Sequence, residues 1–289
     1  MAVQNSLVAK KQQQPQQQDT MTSFLNRIDV QDNIDQVLGK DNKQRFITGV
    51  ISAVNTNAAL AECTKKSIFS GALLGESLKL SPSPQLGHYY LVPFNDKNQG
   101  KVAQFQLGYK GYIQLAIRSG QYKKLNVLAI KEGELEYFDP LNEDIKINLM
   151  VDRWDEREAT ETIGYYAMFE LTNGFRKAIY WSKKQMENHA LKYSKGYAAK
   201  KGYTFWEKNF DGMAYKTMLR QLISKWGIMS IDLQSAFEND MTFTDDSGKV
   251  NYVETDGEVI DMEVVVEEPQ PEKTESSDND VAAALFGNR

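Results

Sequence analysis

The stretch "FQLGYKGYIQLAIRSGQYKKL", Phe105 to Leu125, changes its periodicity twice. A strand-like run, Lys101–Leu107, stops at Gly108. From Tyr109 to Arg118 the apolar positions Tyr109, Tyr112, Ile113, Ala116 and Ile117 share one face of a helix. Lys110, Gln114 and Arg118 recur four apart on another face. A further strand-like run then covers Leu125 to Ile130. Strand, helix and strand in close succession predict a mixed α/β fold. The same stretch holds no acid, and the acid-free window widens to Lys97–Lys131, with seven basic residues.

Working outward, "SPSPQLGHYYLVPFNDKNQGKVAQFQL" reads as a hairpin, in which His88–Phe94 and Lys101–Leu107 flank a polar turn. Upstream lie three amphipathic helical patterns. One runs from Thr22 to Leu38, one through Phe46, Ile47, Val50, Ile51 and Val54, and one through Leu60, Cys63, Ser67 and Leu74, ending near Gly75. Downstream, Leu135–Phe138 is strand-like, and Thr162–Leu171 and Phe175–Trp181 flank the hairpin signal "TNGF". Ser182 with Gln185 fits a capping box that opens a helix to about Tyr193. A basic loop, "SKGYAAKKGY", leads to one long helix from Phe205 to Trp226, with Lys216 and Arg220 one turn apart. No repeat is visible. The chain divides into a Gln-rich, disordered segment (1–20), a core (21–233) and an acidic, disordered tail (234–289).

The 289 residues are 41% apolar, enough for a real core, and carry a net charge of -5. That acidity is uneven. Residues 234–289 hold 15 acids against 3 bases, whereas 40–233 hold 28 bases against 20 acids. The body is therefore basic and suited to a polyanion. The N-terminus lacks a hydrophobic signal core, no apolar run spans a bilayer, and the single cysteine, Cys63, rules out an internal disulfide framework. These features predict a soluble, cytoplasmic protein.

Several chemistries lack their residues. "GALLGES" has no lysine of a phosphate-binding loop, which speaks against an NTPase. Two histidines, His88 and His189, and one cysteine do not make a zinc site. Acids crowd 132–161, with 11 against 3 bases, and include Asp152, Asp155, Glu156 and Glu158. Metal-dependent nucleases use such groups, but a dense mixture of this kind reads first as a solvated surface.

A second basic segment covers 176–225, with 12 bases and 3 acids. Tyr180, Trp181, Tyr193, Tyr197, Trp206, Phe210 and Tyr215 are interleaved. Cations at helical spacing bind successive phosphates, and rings stack on unpaired bases without reading sequence. For any single residue, plain core or plain surface is the ordinary reading. The doubling of the pattern favours nucleic acid bound by its backbone, without base-edge readout.

"GALLGESLKLSPSPQLGHYYLVPF", "QFQLGYKGYIQLAIRSGQY" and "WEKNFDGMAYKTMLRQLISKWG" resemble the RecT family of phage and prophage single-strand annealing recombinases, over roughly residues 40–230. The combination Q-x-G-Y-K-G, L-A-x-R-S-G and K-T-x-x-R carries the resemblance. It implies an α+β core similar to the eukaryotic annealing proteins: a short antiparallel sheet packed on a long helix, preceded here by helices. It also implies ATP-independent annealing of single-stranded DNA, retention of the annealed duplex, and homo-oligomeric rings or helical filaments. The implied setting is a bacterial cytoplasm, with a partner exonuclease and the host single-strand-binding protein as candidate partners. No catalytic residue, metal or cofactor is expected. The expected DNA-binding set is Lys101, Gln106, Tyr109, Lys110, Arg118, Lys192, Trp206, Asn209, Lys216, Arg220 and Lys225. Gly108 and Gly111 are expected to let a ligand approach closely. The terminal "VAAALFGNR" is a candidate partner-binding helix, with a solubilising tail that has no partner as the equal alternative. A passive single-strand coat and a nuclease built around Asp152 remain the alternatives.

Overall fold

The computed structural model describes residues 20–252, excepting Pro84, Tyr203 and Asp246. The Gln-rich segment and the terminal "VAAALFGNR" lie outside the described residues. Five helices open the fold: α1 (Met21–Leu25), α2 (Ile28–Leu38), α3 (Lys40–Thr56), α4 (Ala58–Ala61) and α5 (Lys65–Ser77). Next come β1 (Tyr89–Asp96), β2 (Gly100–Leu107), α6 (Tyr109–Arg118), β3 (Tyr122–Lys131), β4 (Leu135–Asp139), β5 (Asp144–Ile147), α7 (Trp154–Ala159), β6 (Thr162–Leu171) and β7 (Arg176–Ser182). The chain closes with α8 (Lys183–Tyr193), α9 (Lys195–Ala198), α10 (Phe205–Lys208), α11 (Phe210–Trp226), α12 (Ile231–Asn239), β8 (Thr242–Thr244) and β9 (Val250–Tyr252).

Three antiparallel sheets result, ordered β1-β2-β8-β9, β3-β6-β7 and β4-β5. The β1–β2 hairpin pairs Tyr89 with Leu107 through to Asp96 with Gly100. The "TNGF" turn closes β6 on β7, with Gly174 left-handed at φ +88°. The capping box at Ser182 and Gln185 opens α8 as its spacing requires.

α11 is the spine. Its Ala214, Met218 and Leu222 pack with Tyr165, Phe169 and Trp206 against the β3-β6-β7 sheet. Its Leu219 and Ile223 join the other core, formed by the N-terminal helices, β1, β2 and α6. A short antiparallel sheet packed on a long helix, with helices before it, is therefore the architecture.

Three elements read as continuous are broken. The pattern from Thr22 to Leu38 divides at Asn26 and Arg27 into α1 and α2. The next break separates α4 from α5, because the N–H of Thr64 donates to Lys101 O (2.8 Å) in β2 instead of to a helix carbonyl. The long helix breaks at Asn209, whose side-chain oxygen accepts the Gly212 N–H at 3.0 Å and caps α11.

The boundary expected at 233 falls inside α12. The chain continues through β8, where Thr242 pairs with Phe105, to β9. Acidic composition hid this: Glu238, Asp240 and Asp245 belong to the folded body. No helix among the described residues is long and apolar enough to cross a membrane.

Candidate nucleic-acid interface

The two basic segments meet in space. Tyr109 at the start of α6 lies edge-on to Tyr215 of α11, with ring centroids 5.5 Å apart. Tyr90 of β1 meets Phe205 of α10 at 5.9 Å. Lys110 stands exposed beside Gly87 and makes no ion pair among the described residues. His88 nearby is pushed towards the neutral form, first by burial and then by the charges of Arg118 and Lys110. This corner is positive, and its aromatic contacts tie α6 to α11 and β1 to α10.

Gly108 and Gly111 have a different role from the one expected. A Cβ on Gly108 would strike the carbonyl oxygen of Gly87, and one on Gly111 that of His88. The close approach is thus the chain's own backbone, and it sets the angle at which α6 leaves β2.

The predicted residues separate by environment. Lys192 and Lys225 are exposed, over the rings of Tyr193 (5.2 Å) and Trp226 (5.7 Å) respectively. Lys101 is ion-paired with Glu62 at the turn end of β2, roughly 20 Å of strand away from α6. Gln106 donates to Gln104 at 2.6 Å. Arg118 donates to the carbonyl of Leu78 at 2.6 Å, which closes the C-terminal end of α5. Trp206 is only 7% exposed, packed against Phe210 at 5.2 Å, so its ring belongs to the core. Asn209 is used as the α11 cap.

Lys216, expected on an open groove, is 8% exposed and donates to Asp240 Oδ1 at 3.0 Å. Arg220, one turn on, donates through Nη1 to Asp240 Oδ2 at 2.6 Å and to Tyr112 Oη at 3.0 Å. Asp240 is fully enclosed and also accepts the Leu107 N–H (2.9 Å) and the Tyr112 hydroxyl (3.0 Å). α11 is covered on nearly every side, so a cation there requires a buried anion. Burial, then the Asp240 charge, holds the Tyr112 hydroxyl well above the usual tyrosine range, so it stays neutral.

The RecT family profile matches residues 44–254. The chain belongs to the RecT family. It is 41% identical over 244 residues to the uncharacterized protein YqaK of Bacillus subtilis (strain 168), covering 83% of this chain and 80% of that protein. It is also 31% identical over 222 residues to Protein RecT of Escherichia coli (strain K12), covering 75% and 79%. RecT membership supports, in general terms, a single-strand annealing protein of DNA recombination that binds single-stranded DNA. The match includes α12, β8 and β9, so Asp240 belongs to the RecT body.

Within this RecT-family chain, Asp240 is the residue that sequence reasoning missed. Its one signal was indirect: Lys216 and Arg220 adjoin the buried face of Leu219 and Ile223, and so needed a counter-charge. The acids of 132–161 do not converge either. Glu134 is buried and doubly bonded by Arg157, at 2.6 and 3.1 Å. Burial works to raise its pKa, but Arg157 and the N–H groups of Lys131 and Met150 hold it below the usual carboxylate range. Asp152, Asp155 and Glu158 are exposed. Among the described residues no three His, Cys, Asp or Glu side chains come together as a metal site.

Proposed function

We propose that this protein binds single-stranded DNA by its backbone and anneals it to a complement without ATP. The supporting observation is the junction of the two acid-poor segments, where Lys110 is exposed beside the Tyr109–Tyr215 and Tyr90–Phe205 contacts. Base pairing is downhill and needs no fuel. The barriers are repulsion between two polyanions and the search for register. Cations lower the first, and a strand held extended on a filament shortens the second. Phosphate contacts position the strand, while pairing supplies sequence specificity.

In this reading Lys110, Lys192 and Lys225 are the freest phosphate ligands, and Lys216 acts from inside the fold. The protein works as a homo-oligomer in a bacterial cytoplasm, and residues beyond 252 serve as a separate module for a host single-strand-binding protein or an exonuclease. Annealing of labelled complementary oligonucleotides, without ATP and with or without Mg, tests it. The expected result is acceleration in both conditions, with the salt slope of binding reduced by about 0.7 in Lys110→Ala. Binding without acceleration marks a passive coat, and Mg-dependent loss of label marks a nuclease.

A further inference from the structure

The Asp240 cluster does not balance its charges. Lys216 and Arg220 bring two positive charges, Asp240 one negative, and Tyr112 none. The surplus is on Arg220, because its side chain is 37% exposed while that of Lys216 is 10%. Arg220 also has unused capacity. Nη1 serves both Tyr112 and Asp240, whereas Nε and Nη2 donate to nothing among the described residues. The guanidinium is further held 5.2 Å from the Phe237 ring. Planar and fixed on one edge, it presents its remaining N–H groups as a fork suited to a phosphodiester oxygen pair.

The backbone is committed to this arrangement. Met241, next in the chain, is left-handed at φ 69°, unusual for a residue with a side chain. It is held there at both ends, its N–H donating to Phe105 O (2.9 Å) and its carbonyl accepting from Gln104 Nε2 (2.7 Å). That local cost turns Asp240 inward, where it also fixes Leu107, the first residue of LGYKG.

We infer that Arg220 is a phosphate-binding residue whose fork is aimed by Asp240, so that Asp240 is a positioning residue for single-stranded DNA binding and Lys216 is its internal counter-ion. This rests on the reading of the protein as a single-strand binder. It also assigns different jobs to the two cations of K-T-x-x-R.

The sign of one substitution separates positioning from bulk charge. Asp240→Asn leaves a side chain of the same shape and makes the region more positive. Charge alone therefore predicts tighter binding of a single-stranded oligonucleotide. Positioning predicts weaker binding, by about ten-fold, with the salt slope reduced by about 0.7 as one phosphate contact is lost. Arg220→Lys keeps the charge but loses the fork, and a comparable loss is expected there. In the double variant the two losses of affinity should not add, because Asp240 acts through Arg220. Binding is measured on full-length protein at a temperature where circular dichroism shows each variant folded. If Asp240→Asn does not fold, Arg220→Lys decides alone. Tighter binding in Asp240→Asn, or unchanged affinity in Arg220→Lys, overturns the inference. Lys110→Ala run in parallel separates the two levels. If it weakens binding while the Arg220 variant does not, only this site fails. If neither changes binding, the single-strand reading fails as well.

Discussion

Lys216 illustrates how a cation's meaning depends on what surrounds it. In sequence it is one of twelve bases in an acid-poor segment, and such residues are ordinarily solvated. In the fold its ammonium is almost wholly enclosed, and its carboxylate partner lies 24 positions further along the chain. Replacing it with Met removes a cation that Asp240 needs, although Arg220 stays to compensate in part. The expected cost is about 3 kcal/mol. For a body of this size that is a fall in melting temperature of roughly 6–12 °C. Calorimetry of Lys216→Met beside Lys110→Ala checks this, since the exposed Lys110 should change stability by less than about 0.5 kcal/mol. Equal melting temperatures would return Lys216 to the surface. Lys110 was legible from the sequence because helix period and exposure agree there. Lys216 was not, because the identity of a distant counter-charge is invisible to any local pattern.

At the scale of elements, strands and hairpins were the most legible features. The β1–β2 and β6–β7 hairpins and α6 match their expected spans closely, since turn chemistry and periodicity point the same way at Asn173, Gly174 and Gly108. The helical breaks were harder, because apolar periodicity continues across them while one backbone N–H or one cap changes partner. α5 gives a further case. Gly75 was read as a helix end, yet α5 continues to Ser77 and Gly75 is interior. Its role is close packing: a Cβ there would run into the ring of Tyr89, and one on Gly71 would come within 2.7 Å of Leu91 Cδ2. Both neighbours are buried on β1, so neither has room to move. Gly75→Ala should therefore destabilise the protein by about 1–3 kcal/mol despite the better helix propensity of alanine. Urea unfolding of this variant checks the claim, and a gain in midpoint would mean that propensity outweighs the contact.

At the scale of the whole molecule, charge segregation was legible but its boundary was not. Composition alone places the acidic region from 234 onward, and that division treats α12, Asp240 and β8 as dispensable. The packing gives another answer. Leu233 and Ala236 lie in the N-terminal core, Asp240 closes the Lys216–Arg220 cluster, and Thr242 extends the sheet from Phe105. Two truncations should then behave oppositely. Removing 234–289 takes away the anion of a buried cluster and a sheet strand, so the product should lose cooperative unfolding and single-strand binding together. Removing 253–289 leaves every one of these contacts in place. It also discards 11 acids and 2 bases, which changes the net charge from -5 to +4. A body relieved of that polyanion should associate with single-stranded DNA faster at low salt, with the advantage fading as ionic strength rises. Stopped-flow association and thermal melts of both truncations test the division. If the shorter deletion also abolishes binding, residues beyond 252 belong to the DNA site. If the longer deletion still melts cooperatively and binds, Asp240 has no structural claim on the RecT body.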